Sequence, residues 1–219
     1  SKIMSIIKEE LESLNEKYGD ERRTLISDFD GDLNTEDLIP RSQVVVMRTQ
    51  EGYIKRVDLD EYQAQNRGGK GRIGIKAKEG DFPVELYSMG SHDHLLFFTT
   101  AGSMYFLKAW QIPDVSRYSK GTPLVQLLQK LDEGRKEKDE QVLCMLPVSN
   151  MTGEGHYFLF ATKKGIIKKT RLEEYSSRIE RAWARDQGFR AITLKENDEL
   201  IGVAISEGDS QVMLASKLG

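Results

Sequence analysis

The sequence predicts a mainly β fold, a propeller-like set of repeated four-stranded blades preceded by an N-terminal α-helix. Three observations carry that prediction. Four segments share one pattern: an apolar run, then Thr or Ser followed three residues later by Gly, then mixed basic and apolar residues. They lie at 44–62, 95–112, 157–175 and 212–219, and their glycines, Gly52, Gly102, Gly165 and Gly219, are spaced 50, 63 and 54 apart. Gly-containing loops stand between the copies, RGGKG at 67–71, SKG at 119–121 and QGF at 187–189. An acid-led strand follows each loop: DFPVELYSM, EQVLCMLPV and DELIGVAIS. A period of about 50 residues with about four strands per unit is propeller arithmetic.

Taken in order, residues 1–19 read as a helix, because Ile3, Ile7, Leu11, Leu14 and Tyr18 recur at spacings of 4, 4, 3 and 4 and so share one face. Gly19 is a suitable stop. A lone amphipathic helix of this length is marginal, so it is expected to pack against another part of the protein. Residues 20–42 carry three Arg against seven acids and several turn formers, and read as an acidic linker. From 43 to 219 each complete copy supplies an apolar strand, a tight turn whose glycine tolerates positive φ, and a second β-branched or aromatic strand. The longest interval is explained by the hydrophilic insert LDEGRKEKDE at 131–140, a surface loop by composition. The sequence ends at Gly219 inside the turn of the fourth copy. Three blades and half a hairpin cannot close a propeller, so the expectation is a longer repeat protein.

Composition narrows the function. With 38% hydrophobic and 31% charged residues among 219, wholesale disorder is excluded. No apolar run approaches the ~20 residues of a membrane span. One cysteine, Cys144, cannot form an internal disulfide, so a reducing, cytosolic setting is the default. The formal net charge of −3 argues against a polyanion partner only if charge is evenly spread, and it is not. Residues 65–78 hold Arg67, Lys70, Arg72, Lys76 and Lys78 without an acid. Phosphate contacts are governed by the field within about a Debye length, ~8–10 Å, not by the total.

That basic loop is the sharpest motif. Gly68, Gly69 and Gly71 remove side chains so that backbone N–H groups can approach phosphate, while Arg67 and Lys70 supply charge. Such contacts position a duplex without reading its sequence. It is not a nucleotide-binding P-loop, because Lys70 is followed by Gly71 rather than Ser or Thr. A basic glycine turn is also a common solvated surface feature, and composition alone leaves both readings open. Lys55 and Arg56 in the first copy and Lys168 and Lys169 in the third fall three and four residues after the repeat glycine, where the second copy has Tyr105 and Phe106. Equivalent positions on successive blades are expected on one edge of a disc, giving an interrupted positive band. Lys120 in the second loop, and Arg178, Arg181, Arg185 and Arg190 around the third, extend it. The alternative is ordinary solvated strand faces.

Other constellations point elsewhere. Asp28-x-Asp30-Gly31-Asp32 resembles a calcium loop, but its glycine is misplaced and Ile39 stands where an EF-hand needs Glu. His92-x-His94 has no Cys or further His nearby in sequence, and reads as a loop pair. Trp110, Phe97, Phe98 and Phe160 suit a blade core better than base stacking, and Cys144 sits in an apolar strand. No triad spacing or nucleophile elbow is present, so the sequence offers no catalytic residue and no metal site.

With these residues in hand, the sequence resembles the A chain of bacterial DNA gyrase. EKYGDERRT at 16–24 is similar to the end of that family's coiled-coil arm, and 43–219 to the first part of its C-terminal β-pinwheel, about three and a half of six blades. QNRGGKG, from Gln65 to Gly71, matches the seven-residue box usually written QRRGGKG, with Asn66 in place of Arg. The resemblance implies a domain that wraps double-stranded DNA and presents a positive crossing, so that ATP-driven strand passage introduces negative supercoils. It implies a partner gyrase B chain carrying ATP and Mg, a second gyrase A chain in an A2B2 complex, and a cytoplasmic, nucleoid-associated location without membrane contact. The chain itself is then a non-catalytic part of a type II topoisomerase, an isomerase, and binds no cofactor. The paralogous topoisomerase IV, which favours decatenation, is the nearest alternative; its box is generally degenerate. A protein-interaction propeller is the alternative from another class.

Overall fold

The computed structural model describes residues 2–20, 35–61, 80–116, 118–129, 140–149, 155–183 and 188–215. The chain divides into two units, Ser1–Leu38 and Ile39–Gly219. In the first, helix α1 spans Lys2–Tyr18, with its last turn closed by the Gly19 amide on the Asn15 carbonyl at 2.8 Å. Its apolar stripe is present as the spacing predicts, yet Ile3, Ile7, Leu11, Leu14 and Tyr18 are all exposed. No helix among the described residues is long and apolar enough to cross a membrane.

Among the described residues the second unit holds three antiparallel sheets. The first copy gives β1 (Gln43–Thr49) and β2 (Tyr53–Asp58), followed by β3 (Pro83–Gly90). The second gives β4 (His94–Thr99) and β5 (Ser103–Lys108), then β6 (Thr122–Pro123), helix α2 (Leu124–Gln129) and β7 (Val142–Val148). The third gives β8 (His156–Thr162), β9 (Ile167–Arg171), helix α3 (Glu173–Trp183), β10 (Phe189–Arg190) and β11 (Leu200–Glu207). The sheet orders are β3-β1-β2-β6, β10-β5-β4-β7 and β11-β8-β9.

The repeat motif has one physical explanation in all three blades. Gly52, Gly102 and Gly165 take φ of +81°, +81° and +79°, which glycine alone adopts freely. Each donates its N–H to the carbonyl of the preceding motif threonine, Thr49, Thr99 or Thr162, at 2.9–3.0 Å. Each threonine hydroxyl in turn accepts from the amide four residues on, Tyr53, Ser103 or Ile166, at 3.1–3.2 Å. The acid that leads the following strand closes the turn from outside. Asp81 Oδ1 accepts from the amides of Glu51 and Phe82, and Asp198 Oδ1 from those of Lys164 and Glu199. Glu140 instead accepts from the Thr99 hydroxyl. Threonine, glycine and acid are therefore one clamp written at three places in the chain.

Four strands per blade hold for the first two sheets, with a correction to their origin: the fourth strand comes from the next repeat. β6 pairs with β2 through Tyr53↔Pro123 and Ile54↔Thr122, and the Leu124 amide donates to the Gly52 carbonyl at 2.8 Å. β10 repeats this on β5 through Met104↔Phe189 and Ser103↔Arg190, with the Ala191 amide on the Gly102 carbonyl at 2.9 Å. The third sheet has three strands among the described residues, with β8 in the middle and β9 at one edge.

Two cores result, one on each face of the middle sheet. Leu95, Phe97, Tyr105 and Leu107 pack with Val44, Val46, Ile54 and Met89 of the first sheet. Leu96, Phe98, Met104 and Phe106 pack with Phe158, Phe160 and Tyr175 of the third. A strand buried on both faces reads as an unbroken apolar run, which is why LLFF shows no alternation. Phe98 meets Phe158 and Phe160 edge to face, with centroids 5.4 and 5.9 Å apart. Helix α3 has no counterpart in the repeat pattern; its Tyr175, Ile179 and Ala182 form a buried stripe on that core.

A largely buried ion pair links two blades. Arg48 on β1 pairs with Glu85 on β3. The Arg48 guanidinium also donates to the Leu143 carbonyl, and Glu85 accepts from the Met145 amide at 3.0 Å, so the pair stitches the first sheet to β7. Removing one partner leaves an uncompensated buried charge. Glu85→Ala should lower stability by about 3–5 kcal/mol in denaturant titrations, whereas the joint replacement Arg48→Met with Glu85→Leu should cost far less.

The turn clamp has its own pH signature. Burial pushes the Asp198 carboxyl up, but the Thr162 hydroxyl, the Lys164 and Glu199 amides and the Lys164 charge outweigh it and hold it below the usual carboxylate range. A depressed folded pKa adds stability above the unfolded value, about 3.9, and that stability is lost as pH falls through the folded value. Asp198→Asn should therefore lower the denaturation midpoint at pH 7. The gap from the parent chain should close below about pH 4; a gap that persists in acid removes the carboxylate from the clamp.

Candidate nucleic-acid interface

The glycine box, Gln65, Asn66, Arg67, Gly68, Gly69, Lys70 and Gly71, lies outside the described residues, as do Arg72, Lys76 and Arg185. The acidic linker between 21 and 34 and the insert at 131–139 fall there too. What the structure does show is the form of the two counterpart loops. Gly121 has φ +88°, and a Cβ there would stand 2.6 Å from the Ile54 carbonyl oxygen and 3.1 Å from the Lys55 Cβ. A Cβ on Gly188 would stand 2.6 Å from the Tyr105 ring and 3.1 Å from the Met104 carbonyl oxygen. In both, glycine lets the incoming loop lie directly on the second strand of the preceding blade. The glycines serve packing here, not an open backbone cradle.

Lys120, just before Gly121, is exposed. Arg190, one residue after Phe189 on β10, is exposed as well. The third loop is braced by α3: the Tyr175 hydroxyl donates to the Ala191 carbonyl at 3.0 Å, and Arg178 donates to the Arg190 carbonyl at 2.6 Å. The Arg178 guanidinium also lies over the Phe189 ring, 4.5 Å from its centroid. Arg178 thus holds the strand that carries Arg190, a role that its membership of an arginine cluster does not reveal.

The paired basic positions require a correction. Lys55 is 1% exposed, and its ammonium donates to the Ser119 carbonyl at 2.7 Å; burial lowers its pKa. Arg56 is half-buried, donates to the Ile112 carbonyl at 3.0 Å and lies 3.8 Å from Asp114. Neither forms part of an outer band. Successive side chains on a strand point to opposite faces, so residues three and four after the repeat glycine cannot share one edge. Tyr105 opposes Phe97 in the core with the first sheet, and Phe106 opposes Leu96 in the core with the third. These are positions between blades. Lys168 and Lys169 occupy them on the third blade and are exposed; Lys169 donates to the Gly208 carbonyl at 2.8 Å and lies 4.2 Å from the Tyr157 ring centroid.

The remaining candidates behave as packing residues. Phe97, Phe98 and Phe160 are fully buried. Cys144 is half-buried, and burial, helped by the Glu85 carboxylate, pushes its thiol up to about 11. Among the described residues no group of three or more His, Cys, Asp or Glu could hold a metal ion.

The sequence profile of a family described as "DNA gyrase C-terminal domain, beta-propeller" matches residues 43–82, 93–138, 156–179 and 184–207. The chain is 42% identical over 218 residues to the DNA gyrase A protein of Halalkalibacterium halodurans, covering all of this chain and 25% of that protein. It is 41% identical over 219 residues to the DNA gyrase A protein of Streptococcus pneumoniae, again covering all of this chain and 25% of that protein. It thus spans about a quarter of the length of these relatives. Among solved structures, the C-terminal domain of DNA topoisomerase IV matches with a TM-score of 0.62 and 25% identity, over 78% of this chain and 47% of that one. A DNA gyrase A C-terminal domain matches in fold with a TM-score of 0.51 and 23% identity, over 77% of this chain and 49% of that one.

The loop geometry makes a direct test possible. Gly121→Ala and Gly188→Ala should each destabilise the chain by about 1–3 kcal/mol, because the first needs positive φ and both meet core atoms. Gly202→Ala, where a Cβ meets nothing within 4 Å, is the control and should be near neutral. Equal midpoints for all three in thermal denaturation would show that the loops do not need close approach.

Proposed function

The chain belongs to the DNA gyrase C-terminal β-propeller family, and we propose that it binds and wraps duplex DNA as part of the gyrase A chain of a type II topoisomerase. The observation that carries the reading is the exposed Lys120 ahead of Gly121. Lys70-Gly71 follows the first repeat hairpin at the same distance in sequence as Lys120-Gly121 follows the second, and there it lies inside QNRGGKG. The phosphate contacts are assigned to these loops: the box at 65–71 with Arg72 and Lys76, Lys120 in the second, and Arg185 and Arg190 in the third. Bending 20–30 bp sharply costs on the order of 1–10 kcal/mol, so many such contacts are needed to offset it.

In this role the wrapped duplex is presented as a positive crossing to a catalytic core outside this chain. ATP and Mg act on a partner gyrase B chain, within an A2B2 complex in the bacterial cytoplasm, and this chain binds no cofactor. The decatenating paralogue, topoisomerase IV, is disfavoured by the box, whose Gly68, Gly69, Lys70 and Gly71 are all present. Identity near 40% to gyrase A proteins across the whole chain points the same way.

If the loops contact phosphates, duplex affinity in the full-length protein should fall steeply with salt, with a log–log slope of about −0.9 for each phosphate neutralised. Lys120→Ala should reduce that slope by about one unit. Replacing 65–71 by alanines should abolish negative supercoiling while ATP-dependent relaxation remains. A flat salt titration counts against wrapping and favours a protein-interaction propeller, and unchanged supercoiling removes the box from the mechanism.

A further inference from the structure

The residue three places after each repeat glycine is Lys55, Tyr105 or Lys168. In the first two blades it is the seat of the incoming loop. Gly121 crosses Lys55 and Gly188 crosses Tyr105 at contact distance, and the seats are 1% and 7% exposed. Lys55 does more than fill space. Its ammonium donates to the Ser119 carbonyl, two residues before Gly121, so the loop is held by a hydrogen bond as well as by strand pairing. An ammonium taken out of water is tolerated when such an acceptor is provided.

Lys168 stands at the same register on β9, opposite Phe160 as Lys55 is opposite Met47 and Tyr105 opposite Phe97. Its strand is an edge of its sheet among the described residues, and Lys168 is exposed. We propose that Lys168 is the seat and hydrogen-bond anchor of a third incoming strand, an extended Gly-containing segment supplied by a further repeat, and not a DNA contact. The two strands seen on β2 and β5 define the occupant. It carries a glycine able to lie on the lysine stem, and a backbone carbonyl two residues earlier to accept from Nζ. The first and second residues after the glycine pair with Ile167 and Ile166, as Thr122 and Pro123 pair with Ile54 and Tyr53. A duplex phosphate on Lys168 is the competing occupant, and the two are separable.

Amine acylation read by mass spectrometry decides between them, on the full-length protein in which this sequence occurs, with and without duplex DNA. Lys168 should react at least about tenfold more slowly than Lys120 without DNA, in the manner of Lys55. DNA should slow Lys120 and leave Lys168 unchanged. Lys168 reacting as fast as Lys120 in the free protein, or slowed only by DNA, overturns the anchor. If DNA slows no lysine, the wrapping reading fails, while the anchor still stands or falls on the DNA-free rates. Lys168→Met keeps the stem and removes the donor, and should speed amide exchange across 166–171 several-fold without altering the salt dependence of DNA binding. Unchanged exchange there also overturns the anchor.

Discussion

The first two blades of this fold are each finished by backbone that belongs to the next. The outer edge of a blade's second strand presents unpaired N–H and C=O groups, and edges of that kind either find a partner or invite aggregation. On β2 and β5 the partner is a two-residue strand from the following copy, entering in the same register both times. The close crossing of Gly121 and Gly188, the burial of Lys55 and the bracing of β10 by Tyr175 and Arg178 all follow from that requirement. Side-chain chemistry near the loops is arranged first to seat this strand. Only what is left over on the outside is available to a ligand.

That ordering changes how the positive charge is read. A basic residue on a blade strand is as easily an internal tie as a surface contact, and the outcome depends on register. Lys55 and Arg56 direct their charge to the Ser119 and Ile112 carbonyls. Lys120 and Arg190, near the glycine turns, stay outside.

Much of this architecture is legible in the sequence because its devices are local. The Thr-x-x-Gly spacing and the acid-led strand recur since one turn clamp is built three times, and LLFF is apolar throughout because the middle sheet is covered on both faces. What is not legible is non-local. Nothing in SKGTP says that Thr122 and Pro123 pair with a strand made of residues 53–58. Without that pairing the glycine of the loop looks like a phosphate cradle and Lys55 looks solvent-facing. A shared rim for Lys55 and Arg56 fails on alternation, because the pleat sends adjacent residues of a strand to opposite sides. Helix α3 is hidden for a related reason, since among the described residues the first two copies show a short 3-10 turn at the corresponding place.

The interlocking of β6 with β2 also has a bearing on how the protein comes off the ribosome. Residues 53–58 emerge well before 122–123, so the first blade waits, one edge open, until most of the second has been translated. Folding is thereby tied to the direction of synthesis, each new unit sealing the one before it, and loop closure over that span makes the step slow compared with forming a hairpin. Unfolding runs against the same tether: the first sheet cannot come apart without stripping a strand anchored in its successor. Such a stack should resist mechanical pull better than blades that merely touch.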